Sequence, residues 1–252
     1  MTDISAILTA HGEGVLAGIS LHATVDAMRR AENDGLSCEL IVVLDRPDAI
    51  TREMFSALPP GGWRTRVEQV DFGDQGMARN HAVGLAAGSH VAFIDADDLW
   101  SENWLVEAWK LCGRDPARII AHPELDWFFQ ENGNLFFHID QTDPDFDPLM
   151  LRFINCWDAL CMAPRKACLE VPFPSRDIDT GFAFEDWQWN CETLEKGYVH
   201  RVVPDTIHFK RRRRVSQNIQ ASGRRALVRR TALFRYDWTP PGCGRARCPQ
   251  GG

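Results

Sequence analysis

The chain has 252 residues, 44% of them hydrophobic and 25% charged, with a formal net charge of −7. That is enough chain for a large α/β core, and the composition is that of an ordinary globular protein. The acidic balance argues against nucleic acid as a general partner. No apolar run approaches a membrane span and no basic segment leads into an apolar signal core, so a cytoplasmic protein without an integral membrane segment is expected. Without a secretory signal, the eight cysteines are expected to be thiols, mostly in the core. Cys156, Cys161 and Cys168 lack the C-x-x-C spacing of a zinc site.

Ser5 to Thr9 reads as a buried strand and Ala10 to Gly14 as the turn after it. Leu21, Val25 and Met28 repeat at helical spacing, and Asn33-Asp34-Gly35 stops that helix. Glu39 to Asp45 is a second apolar strand, which makes a βαβ unit and predicts a parallel sheet. Asp45 at its end either meets a ligand or caps the turn before Pro47. The first turn has no G-x-G-x-x-G, so the dinucleotide fingerprint is absent. A helix over 48–58, a half-buried strand over 64–70 and a helix over 77–87 follow. Arg79, in the first turn of that last helix, either holds an anion there or pairs with Asp71 or Asp74.

Val91 to Ile94 is a short apolar strand that ends in Asp95, Asp97 and Asp98. Carboxylates at such density repel unless a cation neutralises them, and strand carboxyl ends are where open α/β sheets bind ligands. Hard oxygen ligands point to Mg²⁺ or Mn²⁺ shared with nucleotide phosphates. The alternative is a solvated acidic turn in which Asp98 or Ser101 caps a helix over 101–112.

In the second half, two aromatic runs around Asn132-Gly133 predict a hairpin over 125–140. A mobile acidic loop over 141–148, a strand over 155–163 and a short helix over 164–169 come next. A helix is expected from Glu185 to Lys196, with Glu185 and Asp186 suiting its dipole. Strands over 198–203 and 206–209, the basic run Lys210 to Arg214 and a helix over 223–236 lead to a tail expected to be disordered from about 239. Trp157, Trp187 and Trp189 are read as core residues or as platforms for sugar rings.

The ordered set Asp71-Phe72-Gly73, Ala78-Arg79-Asn80, Ala87-Gly88, Phe93-Ile94-Asp95-Ala96-Asp97-Asp98 and Phe184-Glu185-Asp186-Trp187 resembles the family 2 glycosyltransferases. The resemblance implies a GT-A fold over 1–238: a mostly parallel, Rossmann-like sheet flanked by helices, with a smaller antiparallel acceptor-side sheet or hairpin. Residues to about 100 would form the nucleotide-sugar half and 101–238 the acceptor half. Thr9, His11, Asp45, Arg79 and Asp95 would lie at the nucleotide. Asp97, with Asp95 and His208, would hold Mn²⁺ or Mg²⁺. Asp186 would be the catalytic base, with Glu185 and Trp187 on the acceptor side. The implied donor is a nucleoside-diphosphate sugar, with a UDP-sugar as first choice. The implied acceptor is a saccharide or a lipid-linked sugar, which leaves room for peripheral membrane contact. The basic run would face the diphosphate or an anionic acceptor. His208 as a plain strand histidine is the structural alternative.

The turns at Thr9-Ala10-His11-Gly12 and Leu44-Asp45-Arg46-Pro47 depart from the family pattern in the nucleotide pocket. Two alternatives therefore stand beside an active inverting transferase. One is an inactive GT-A domain that binds nucleotide or glycan. The other is a haloacid-dehalogenase-like phosphatase, which also ends an apolar strand in Asp-x-Asp.

Overall fold

The structure is a computed structural model that describes residues 2–56, 58, 61–131, 133–212, 221 and 223–239. Four parallel strands form its first half: β1 (Ile4–Ala10), β2 (Cys38–Asp45), β3 (Arg64–Val70) and β4 (His90–Asp95), ordered β3-β2-β1-β4. Every residue of β1 and β2 is buried, as near-continuous apolar strands covered on both faces must be. The described residues of this half also form α1 (Leu16–Asn33), α2 (Ala49–Met54) and α3 (Gln75–Leu85).

α1 and α4 (Trp104–Cys112) cover one face, bringing Leu21, Val25, Met28, Trp104 and Leu105 into a single core. Each such side chain contributes about 1.5–3 kcal/mol on leaving water. On the other face, Ala78, Ala82 and Val83 of α3 meet Ala167 of α5 (Arg165–Glu170) and Trp189 of α6 (Glu185–Glu195). The Ala87-Gly88 pair serves this packing. Ala87 N–H donates to Glu39 Oε1 at 2.6 Å, Gly88 N–H to Ser5 Oγ at 2.9 Å, and Ser5 Oγ to the same Glu39 oxygen at 2.6 Å. A Cβ at position 88 would lie 2.6 Å from the Ser5 backbone nitrogen, so only glycine fits.

Past β4 the sheet continues through β8 (Met162–Pro164), β6 (Ile119–Gln130), β9 (Val199–Arg212) and β5 (Leu99–Trp100), with β7 (Asn134–Phe137) paired to β6. β4–β8, β8–β6, β5–β9 and β6–β7 are antiparallel. The expected α/β architecture is observed, and its antiparallel part is continuous with the parallel sheet rather than a separate layer.

Several sequence expectations are corrected. The two strands expected over 198–209 are one, with a register shift opposite Pro123, where Pro204 cannot donate to the ladder and Asp205 takes φ 59°. Residues 155–161, expected as strand, are irregular and leave only Met162–Pro164 paired. The helix expected from 101 starts at Trp104, because Leu99–Trp100 pairs with β9 first. The helix expected over 223–236 is a 3₁₀ turn at Ala232–Phe234 among turns and irregular chain.

The described cysteines, Cys38, Cys112, Cys156, Cys161, Cys168 and Cys191, are buried free thiols. Cys243, Cys248, the expected tail beyond 239, and Arg213 and Arg214 of the basic run lie outside the described residues. Among the described residues, no helix is long and apolar enough to cross a membrane.

Candidate active site

β1, β2 and β4 end side by side, with Thr9 in register with Asp95, so Thr9, Asp45 and Asp95 share the carboxyl edge of the sheet. Arg79 organises that edge. Its Nη2 donates to Asp95 Oδ1 at 2.9 Å and Oδ2 at 3.1 Å, and Thr9 Oγ1 donates to Asp95 Oδ1 at 2.9 Å. Arg79 Nη1 lies 3.7 Å from Glu185 Oε1, and the arginine side chain is only 3% exposed. Burial works against the guanidinium's charge, but Asp95 and Glu185 outweigh it and raise its pKa. Neither partner foreseen for Arg79 is used. Asp71 pairs with Arg46, while Asp74 caps α3 at Met77 N–H and accepts from Arg176 N–H at 2.8 Å.

Asp45 is internal. Its Oδ1 accepts from Phe72 N–H (2.8 Å) and Gly73 N–H (2.9 Å), and its Oδ2 from Asp74 N–H (2.9 Å). The carboxylate therefore fixes the turn that launches α3. His11 is exposed, and its Nδ1 bonds the Asp45 carbonyl oxygen.

Beyond Asp95, Asp97 is half-buried and its backbone carbonyl accepts from Arg211 Nε at 3.3 Å. Asp98 is buried; its Oδ1 accepts from Arg211 N–H at 2.8 Å, and its Oδ2 lies 3.3 Å from Lys210 Nζ. Burial pushes the Asp98 carboxyl up, with Lys210 opposing. Asp98 caps no helix, since Asn103 occupies the cap of α4.

Across this frame stands the start of α6. Phe184 just before it holds φ 65°, a left-handed conformation that is unusual for a bulky residue, beside a candidate catalytic group. Glu185 turns inward to Arg79 and lies 4.0 Å from Arg176 Nε, so it belongs to the frame rather than to an acceptor surface. Burial raises its carboxyl pKa even so. Asp186 is half-buried, and its Oδ2 accepts from Asn155 Nδ2 at 3.0 Å. Burial, followed by the charges of Glu185 and Asp158, pushes its carboxyl up to about 7, the range of a general base at neutral pH.

Trp187 donates from Nε1 to the Leu151 carbonyl at 2.7 Å and is partly buried against a small core around Leu151 and Trp157. Trp157 and Trp189 are core residues, stacked on His200 and Phe173 at 4.0 and 4.8 Å. His208 is fully buried beneath the site, 4.6 Å from the Trp104 ring, and neither ring nitrogen has a hydrogen-bond partner among the described residues. Among the described residues no three His, Cys, Asp or Glu side chains gather in a metal-holding arrangement, so Asp95, Asp97 and His208 form no three-ligand site. Asn155, Asp158 and Arg176, which complete the site, stand in stretches of sequence with no periodicity or motif to single them out.

The profile of the glycosyl transferase family 2 matches residues 5–162. No curated protein sequence matches the chain. Among solved structures, S. aureus TarS is similar with a TM-score of 0.62 and 15% identity, over 84% of this chain and 37% of that one. TarS 1-349 in complex with UDP-GlcNAc is similar at 0.60 and 16%, over 88% and 61%. The mannosyltransferase PcManGT from Pyrobaculum calidifontis, in complex with GDP-Man and Mn²⁺, is similar at 0.58 and 17%, over 82% and 56%. This chain thus spans 37% to 61% of the length of those structures, and at such identity the likeness shows a common GT-A fold. A family match over more than half the chain also sets aside the phosphatase alternative. By that match, which takes in the Arg79–Asp95 frame and the acidic strand end, the chain belongs to glycosyl transferase family 2.

Proposed function

We propose that the protein is a metal-dependent, inverting glycosyltransferase that moves a sugar from a nucleoside-diphosphate sugar to a hydroxyl of a saccharide or lipid-linked acceptor. The observation that carries this reading is the Arg79 frame. One buried guanidinium ties Asp95, at the start of the acidic turn, to Glu185, the neighbour of Asp186. Asp95 and the start of the helix that carries Asp186 are thereby joined through one cation.

The donor set fits a hard divalent ion only in part. Both Asp95 oxygens are engaged by Arg79, so the Asp97 carboxylate is the group of this turn proposed to meet the ion. Mg²⁺ or Mn²⁺ commonly takes one or two carboxylates and completes its shell with substrate phosphates and water, so Asp97 with a diphosphate suffices and His208 is not required. When bound, such an ion would stabilise the charge that develops on the diphosphate. The known ligands of the solved relatives, UDP-GlcNAc and GDP-Man, support a nucleotide-sugar donor.

Asp186 would take the proton from the acceptor hydroxyl as its oxygen bonds the anomeric carbon. The bond from that carbon to the diphosphate oxygen breaks in the same displacement and inverts the centre, as in single-displacement hydrolases. Asn155 holds one carboxylate oxygen and leaves the other for the hydroxyl.

Calorimetry of UDP and GDP with and without Mn²⁺ tests the donor site: binding should need the ion and should be lost in Asp97→Ala. A screen of UDP-, GDP- and CDP-sugars, read by diphosphate release, tests the activity. Asp45 and His11 are turned to internal contacts, which favours the inactive, nucleotide-binding reading if binding occurs without release from any donor.

A further inference from the structure

The fold divides the basic run that begins at Lys210. Arg212 lies over the Phe128 ring at 4.2 Å, and Arg211 over Phe129 at 4.7 Å. Lys210 turns inward. Its Nζ is 3.3 Å from Asp98 Oδ2 and 2.8 Å from Asp158 Oδ2, with a side chain only 14% exposed. We propose that Lys210 is a positioning residue, clamping the Asp97–Asp98 turn through Asp98 and fixing it against the segment that carries the base's hydrogen-bond partner through Asp158. The proposal rests on the reading of this edge as a donor site.

Two separate segments meet at this ammonium. On one side, Asp98 is also tied to β9 by Arg211 N–H, and Leu99–Trp100 pairs with Phe209 and His208. On the other side, Asp158 belongs to residues 155–158. Asn155 donates to Asp186 at 3.0 Å, Asn190 Nδ2 donates to the Asn155 side chain and to the Trp157 carbonyl at 2.9 Å each, and Asp158 Oδ1 accepts from Leu160 N–H at 2.7 Å. One short stretch therefore reaches the acidic turn through Lys210 and the base through Asn155.

Burial works against the ammonium's charge, but Asp158, Asp98, Asp126 and Asp95 outweigh it and keep Lys210 protonated. A lysine suits the position because its compact charge meets two carboxylates from different directions, where a planar guanidinium favours one. Asp98 is thus held between Lys210 Nζ and Arg211 N–H, and the turn that carries Asp97 is held with it.

The test uses the full chain as wild type, Lys210→Met, Asp158→Asn and the double variant, each held well below its own melting temperature. Calorimetric affinity for UDP and GDP with Mn²⁺ should fall about tenfold in each single variant, and the double variant should lose little more than the worse single one. The donor KM should rise while the acceptor KM holds. Asp158→Asn keeps the volume and an acceptor oxygen, and carries the test if Lys210→Met does not fold. Single variants that melt earlier but bind Mn²⁺-nucleotide like wild type would make Lys210 structural only and overturn the proposal. Losses that add fully in the double variant would equally refute the clamp. Wild type that binds neither nucleotide with Mn²⁺ would overturn the donor-site reading itself, and this inference with it.

Discussion

Asp186→Asn should disable transfer and stabilise the protein, and the stabilisation should depend on pH. In the folded chain the Asp186 carboxyl holds its proton up to about pH 7, against an ordinary value of 3.8. Between those values the folded state binds more protons than the unfolded one, so wild-type stability falls as pH rises from about 4 to about 7 and is level above. The gap from 3.8 to about 7, at 1.36 kcal/mol per pH unit, sets a ceiling of about 4 kcal/mol at pH 8. Water at this half-buried carboxyl brings the expected gain to ~1–3 kcal/mol. Asparagine keeps the shape and an oxygen for the Asn155 amide. Urea unfolding at pH 4.5, 6 and 8 should show the variant gaining on wild type as pH rises. Wild-type kcat/KM should climb to a plateau with a midpoint near 7, and Asp186→Asn should lose about 10²–10⁴-fold in rate. A variant that keeps its activity, or a stability difference that is the same at all three pH values, would refute the assignment.

Arg79→Met strands Asp95 and Glu185 without their shared cation, and breaking a buried pair in this way costs about 3–5 kcal/mol. The urea midpoint should fall accordingly, and a loss below about 1 kcal/mol would count against the frame. Asp45→Ala removes the acceptor of three backbone N–H groups, each costing about 1–3 kcal/mol if left unpaired. A clear drop in melting temperature is expected; unchanged stability with lost nucleotide affinity would instead assign Asp45 to the ligand.

The parallel half of the fold was legible because its signals are local and repetitive. β1, β2 and β4 are apolar runs whose buried faces follow from composition, and α1 carries its core stripe at helical spacing. The second half was less legible. β9 read as two strands because Pro204-Asp205 looks like a turn, yet pairing to β6 on both sides of the register shift keeps it one element. The stretch over 155–161 has the composition of a strand but finds no partner along most of its length, and its polar groups bond side chains instead.

At the site, the acidic cluster at a strand end singled out Asp95 and Asp97, because like charges at that density repel. Asp186 was reached only through the family resemblance, since acids at a helix start suit its dipole. Their separate tasks were not legible. Whether a carboxylate faces a ligand or a guanidinium depends on what the chain brings to it from far away, and Arg79 meets both Asp95 and Glu185 only once α3 and α6 lie on one side of the sheet. Sequence alone determined that apolar strands around a helix make a parallel sheet and that carboxylates gather at a strand end, since these follow from short-range patterns of burial. The order of the strands within the sheet came from the tertiary structure. Tertiary structure alone decided that Asp45 and Glu185 turn inward, that His208 is enclosed between tryptophans, and that Lys210 leaves its basic run for Asp98 and Asp158, because a charge takes its partner from three-dimensional neighbours.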